Sequence, residues 1–340
     1  MKLTLTRRVV AIAVGLILAA TSANAGVRVI NCNEGDSLQK AIDAGAGSAK
    51  VIEIELYGTC EEDIRIYRDG VRIIGDGAAT IEGDARVYNA DGIDFEYLNF
   101  TGSGGGLRIV NSRARLRFVN VFDNAEYGIA VLQNGVLVCL TCRIENNRED
   151  GVVLDNGMAR LHRNSIVENN DGNGIIVTNN GFLELDGGRV VDNGIHGVQA
   201  TGSSALSIYG SNISSNDAYG VLLNLASSGT ISNTVIQDNS GEGVEAVANS
   251  AVTIGGGFIG SNGHHGVSLI FHSTAWLADV EISDNNGSGA YLDLDSGLII
   301  DPGTYIPPNA TGLAVECVDE ESSAMISDDA NVVPVNCTGF

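Results

Sequence analysis

The chain is poor in positive charge. Lys and Arg together number 19 against 42 Asp and Glu, a net charge of −23 over 340 residues. Such a protein has little with which to neutralise a row of phosphates, which argues against nucleic acid as a partner. An anionic membrane surface is disfavoured for the same reason. The deficit is uneven. No Lys or Arg follows Arg189, whereas residues 190–340 carry 17 Asp or Glu. Pro is scarce at 4 residues, and there is a single Trp. Gly is abundant at 44 residues and Asn reaches 31. Gly shows no period of three, which excludes collagen. With 44% hydrophobic residues there is enough apolar material to bury, which excludes a disordered chain.

One apolar run, Val9 to Ala20, follows Lys2, Arg7 and Arg8 and precedes Ala23-Asn24-Ala25. This is the pattern of a secretory signal peptide cleaved near Ala25. The run is short for a membrane anchor, the alternative reading, and no later segment is long and apolar enough to span a bilayer. The mature protein is expected to be secreted or periplasmic. Six cysteines suit that setting. They fall into local pairs, Cys32 with Cys60, Cys139 with Cys142, and Cys317 with Cys337, and three disulfides are expected, although spacing alone leaves 15 connectivities open.

The dominant feature is a repeat. Asn124, Asn147, Asn170, Asn193, Asn216, Asn239, Asn262 and Asn285 stand 23 residues apart, and so do the eight glycines from Gly128 to Gly289. After each Gly the pattern is apolar, mixed, apolar: Ile175-Ile176-Val177, Val198-Gln199-Ala200, Val244-Glu245-Ala246. That is the period of a strand with one buried face. A second inward column holds Leu185, Ile208, Ile231, Ile254 and Leu277, and a third holds Val167, Val190, Ile213, Ile236 and Ile259. Between them runs Thr141, Asn164, Gly187, Gly210, Asn233, Gly256, Asp279, mostly residue types that tolerate a left-handed corner. Stacked Asn amides can satisfy one another and the turn backbone.

Three short strands per 23 residues, each pairing in parallel with its equivalent one coil on, describe an all-β, right-handed, single-stranded parallel β-helix. The chain resembles the pectate-lyase-like superfamily of right-handed parallel β-helix repeat proteins. Segment 36–46 reads as a short N-terminal capping helix with Leu38, Ala41 and Ile42 on one face. The expected division is a signal peptide at 1–25, an N-terminal cap at 26–60, the β-helix at 61–300 and a C-terminal cap at 301–340.

The resemblance implies that enzymes of this fold work on the outer face of the first strand stack, walled by long turns. Here the turns keep one length from 128 to 289. The leading reading is therefore an exported solenoid that binds a carbohydrate polymer or a cell-surface protein. The alternative is a polysaccharide lyase or glycoside hydrolase. The column before the ladder Gly holds His196, Tyr219, Glu242 and His265, with Glu245 outward on the same strand as Glu242. Carboxylate and imidazole on adjacent rungs are a candidate acid and base. His272 and Asp295 form a second pair in the following turn, and Trp276 is placed outward on the second stack, with a ring face suited to a sugar. An apolar outer stripe at Ala130, Val153, Ile176 and Leu222 is expected to be covered by residues 323–340 or to form an interface. No metal site and no cofactor are expected. Calcium is the one alternative, at Asp293-Leu294-Asp295-Ser296-Gly297, which lacks the third ligand and the distal Glu of a calcium loop.

Overall fold

The computed structural model describes residues 27–44, 51–162 and 164–337. The expected signal peptide lies outside them. Among the described residues, no helix is long and apolar enough to cross a membrane.

The inward columns force the chain into a coil, because each strand is too short to bury its apolar face alone. Thirteen strands, from Ile64–Ile66 to Val335–Asn336, stack in parallel as one sheet. The second and third strands of each coil merge into a sheet of 25 strands. Register follows the repeat: Val198 pairs with Val221, Val221 with Val244, and Val244 with Val267. The inward columns meet in one continuous apolar core.

The corners are as read from the sequence. Thr141, Asn164, Gly187, Gly210, Asn233, Gly256 and Asp279 all have φ between 50° and 69°. The ladder glycines serve a different need. A Cβ on Gly174 would meet the Gly197 carbonyl at 2.7 Å and the Asn193 amide nitrogen at 2.8 Å. They are small because the Asn ladder lies against them. In that ladder each Nδ2 donates to the next Oδ1, at 3.0 Å from Asn193 to Asn216 and 2.9 Å from Asn216 to Asn239. The ladder gains a rung at Asn309, which accepts from Asn285 at 3.2 Å. A second ladder, Ser204, Ser227, Ser250, Ser273 and Ser296, joins each backbone N–H to the next Oγ.

The helix spans Leu38–Asp43 and buries Leu38, Ala41 and Ile42. Ser37 caps it by accepting from the Lys40 N–H. Glu62 also accepts from the Leu38 N–H at 2.6 Å, tying the helix to the coil. Strand pairing crosses the expected cap boundaries on both sides of the β-helix: Ile52–Tyr57 pairs with Val71–Gly75, and Ser323–Ile326 pairs with Gly297–Ile300. Residues 323–336 thus build further rungs and are not laid over the stripe of Ala130, Val153, Ile176 and Leu222, which corrects the expectation that they would cover it.

Cys32–Cys60 and Cys317–Cys337 are disulfides. Cys139 and Cys142 are not, which corrects the expected third bridge: both are free and buried. The two thiols touch without bonding, one on either side of a corner. Cys139 lies in the inward column beside Leu116 and Leu161, and the chain then turns at Thr141, φ 60°. Cys142 enters the core from the next strand, its Sγ 3.9 Å from the Leu116 carbonyl.

Candidate functional site

The site lies on the outer face of the thirteen-stranded sheet, where one column of side chains changes character along the solenoid. It begins with Arg65, Arg86 and Arg108 on successive rungs. Ala130, Val153 and Ile176 follow. Gln199, Leu222 and Glu245 come next, then Ser268, Tyr291 and Glu316.

The structure brings together four of the five residues proposed as acid–base candidates. His196 stacks on Tyr219 with ring centroids 4.8 Å apart. Its Nδ1 accepts the Tyr219 backbone N–H at 3.1 Å. Burial draws its pKa down to about 4. Tyr219 is pushed up to about 12, first by burial and then by the charges of Glu245 and Glu242. Glu245 is only 8% exposed although it points outward. Burial, and then the charge of Glu242, raise it to about 7, while the Tyr219 hydroxyl acts against that rise by donating towards it. Glu242 is equally buried. One of its oxygens lies 3.4 Å from His264 Nδ1, and the other is buried with no hydrogen-bond partner.

The fifth candidate, His265, is built differently. It stacks on Tyr291 at 4.4 Å, and its Nδ1 accepts the Ser288 N–H at 2.9 Å. Burial lowers its pKa, against the opposing charges of Glu242 and Glu316. Ser288 in turn donates to Glu316. The imidazole paired with Glu242 is therefore His264. Sequence reasoning missed it because its column runs Ile195, Ala218, Gly241, His264, Gly287 and has no pattern.

His272 and Asp295 do meet, 3.5 Å apart and both exposed. They line a shallow depression with Phe271, Leu294, Asp319 and Glu321. Asp319 accepts the Leu294 and Ser322 N–H groups, and Asp293 beside the depression also accepts the Leu294 N–H. Among the described residues, the one group of three ligating side chains close enough to share an ion is Cys32, Cys60 and Glu62, and its two cysteines are joined to each other. Trp276 is outward and 49% exposed, as alternation requires.

A family described as right handed beta helix region matches residues 15–213 and 196–329. The chain belongs to this family. No curated protein matches it in sequence. Among solved structures, the A-module of the mannuronan C-5 epimerase AlgE4 of Azotobacter vinelandii superposes with a TM-score of 0.63, at 17% identity over 91% of this chain and 100% of that one. A double mutant of the periplasmic alginate epimerase AlgG gives 0.58 at 12% identity, over 90% and 84%. The enzymatically active domain of tailspike protein 2 of bacteriophage CBA120 gives 0.57 at 13% identity, over 89% and 52%. These likenesses concern the β-helix itself.

Proposed function

We propose that this β-helix cleaves a carbohydrate polymer lying along the outer face of its thirteen-stranded sheet, with Glu245 as the proton donor. The observation that carries this reading is a carboxyl group held near pKa 7 on an outer sheet face, desolvated and beside a second carboxylate. A carboxyl group with a raised pKa beside a second carboxylate is the pattern of glycosidic acid–base chemistry. Glu245 gives its proton to the glycosidic oxygen as the C–O bond breaks. Water adds to the sugar carbon, and its proton passes to the unpartnered oxygen of Glu242. His196 and His265 remain neutral, with Nδ1 occupied by backbone N–H, so each ring carries hydrogen on Nε2 and can donate to sugar hydroxyls. Polysaccharide-directed names among proteins of the same fold support the substrate class. Elimination from a uronate is less well served, because this chain offers no Lys or Arg beyond Arg189 to neutralise the sugar carboxylate.

A second reading, binding without turnover, is favoured by turns that never lengthen into a wall from 128 to 289. The two separate in one assay. New reducing ends released from a panel of polysaccharides, lost in Glu245→Gln while binding persists, are the expected result. Binding with no release by the native protein would establish the second reading. Export is part of the proposal, supported by the two disulfides, which persist in an oxidising compartment.

A further inference from the structure

The outer face of the second strand stack also changes character along its length. At its N-terminal end it is laced with ion pairs: Arg72 with Glu53 and Glu96, Arg115 with Asp94, Arg160 with Glu184. Towards the C-terminus the outward positions lose charge. Over the four strands Ser228–Gln237, Ala251–Gly260, Thr274–Ala278 and Gly297–Ile300, those that precede the corner are Ser, Thr, Ala, Gly, Trp or Ile. In a chain of net charge −23 this is a flat strip whose one charged neighbour is Asp301, just beyond the last of these strands.

Trp276 sits in it, between Thr253 and Ile299 on the flanking rungs. Its Nε1–H donates to Asp301 at 2.8 Å. Asp301 lies one rung on and two residues further along, so the bond draws the indole across the sheet face and fixes its orientation. Two outward positions diagonal to Trp276 are glycines, Gly255 and Gly297. Neither has a positive φ, and a Cβ on them would come no closer than 3.8 Å and 3.7 Å to its neighbours. The fold does not require either glycine. What they do is leave the space beside the indole clear.

We infer that this strip is a second carbohydrate platform, which takes a neutral polysaccharide lying flat along the solenoid, and that it acts independently of Glu245. An indole held in place offers a face to the apolar side of a sugar ring. The Ser and Thr hydroxyls around it can pair with sugar hydroxyls, and with no cation on the strip and Asp301 engaged by the indole, a neutral polymer suits it better than an acidic one. A second copy of the chain fits worse. The apolar part is one side chain wide, far below the roughly 800 Å² per partner of a stable interface, and two such acidic molecules repel.

The test uses the only Trp as its reporter. Tryptophan emission of the native full chain is titrated with hydroxyethylcellulose, laminarin and galactomannan, with polygalacturonate as the charged comparison. A saturable change with a neutral glycan is expected. It should be retained in Glu245→Gln, which separates this platform from the proposed cleavage site. Gly255→Thr and Gly297→Thr, for which there is room in the fold, should weaken binding about tenfold with unchanged melting, as expected when a stacking contact is blocked. Trp276→Ala should weaken retention by the neutral glycan that changes the emission in affinity electrophoresis. No response to any neutral glycan, or unweakened binding in both glycine variants, overturns the inference. A doubling of mass in sedimentation that is lost in Trp276→Ala also overturns it, in favour of self-association.

Discussion

His196 Nδ1 accepts the backbone N–H of Tyr219, one coil on, at 3.1 Å, while the two rings stack. A backbone N–H cannot reverse its role, so protonating His196 at Nδ1 would set donor against donor as well as place charge in a buried site. Burial draws the folded pKa down to about 4, against 6.5 for the free side chain. Between those values the unfolded chain binds the extra proton. His196 thus contributes stability in full above pH 6.5, and the contribution fades as pH falls towards 4. NMR titration should give one imidazole, identified by its absence in His196→Gln, with a midpoint near 4. A midpoint near 6.5 would show that the ring is solvated.

Glu245 works in the opposite direction. Its pKa rises from 4.5 to about 7 on folding, so the folded state holds a proton that the unfolded state has lost. Stability from this group is unimpaired below pH 4.5, declines as pH rises through 7, and stays reduced above it. Glu245→Gln should therefore melt higher than the native chain at pH 8, by a margin of up to about 3 kcal/mol, and equally at pH 4. It should also abolish release of reducing ends. A variant destabilised at pH 8 would mean that Glu245 is held by favourable contacts to its charged form.

Asn216 shows what the repeat is for. Its side chain accepts from both the N–H and the Nδ2 of Asn193, and donates to Asn239 and to the Val190 carbonyl, all buried. Asn216→Ala strands the Asn193 N–H in a dry interior, takes one of three acceptors from the Asn193 Nδ2, and removes a donor from the Val190 carbonyl and from Asn239. At about 1–3 kcal/mol per unsatisfied group, a loss of roughly 3 kcal/mol is expected in denaturant unfolding. Asn216→Asp keeps the acceptors but places a charge in the column, and should cost more. Inward Ile213→Asp should prevent folding altogether. A melting temperature unchanged in Asn216→Ala would show that the ladder is dispensable.

What was readable in the sequence follows from the same geometry. A solenoid repeats one environment at one spacing, so any position with a fixed physical demand appears as a column. The Asn, Gly and inward apolar columns are of this kind. Asn309 escaped because it lies 24 residues beyond Asn285, in a coil carrying Pro302, Pro307 and Pro308. The Glu62 cap of the helix escaped because it occurs once. The burial and raised pKa of Glu245 could not be read from alternation, which marks the position as outward and therefore solvated. Its burial arises from what surrounds that position, and such a surface is specific to a few coils. His264, unlike His265, occupies a column that places no demand on residue type.

Cys139 and Cys142 give the remaining test. Spacing reads them as a local bridge, yet the structure holds both as thiols, and burial, followed by contact with the Cys139 thiol, pushes Cys142 well above the usual thiol range. A thiol that does not ionise and is closed off from solvent neither attacks a reagent nor exchanges with another disulfide. The folded chain, kept free of reductant, should give no reaction with a water-soluble thiol reagent. After denaturation it should release two thiols per chain, with Cys32–Cys60 and Cys317–Cys337 remaining oxidised. Cys139→Ala with Cys142→Ala should remove that signal and lower stability by about 1–3 kcal/mol, the range for trimming small buried side chains. If denaturation exposes no thiol at all, the pair is bridged and the corner at Thr141 must be drawn differently. If the native protein reacts with two equivalents, this part of the core is open to solvent and the inward placement of Cys139 is wrong.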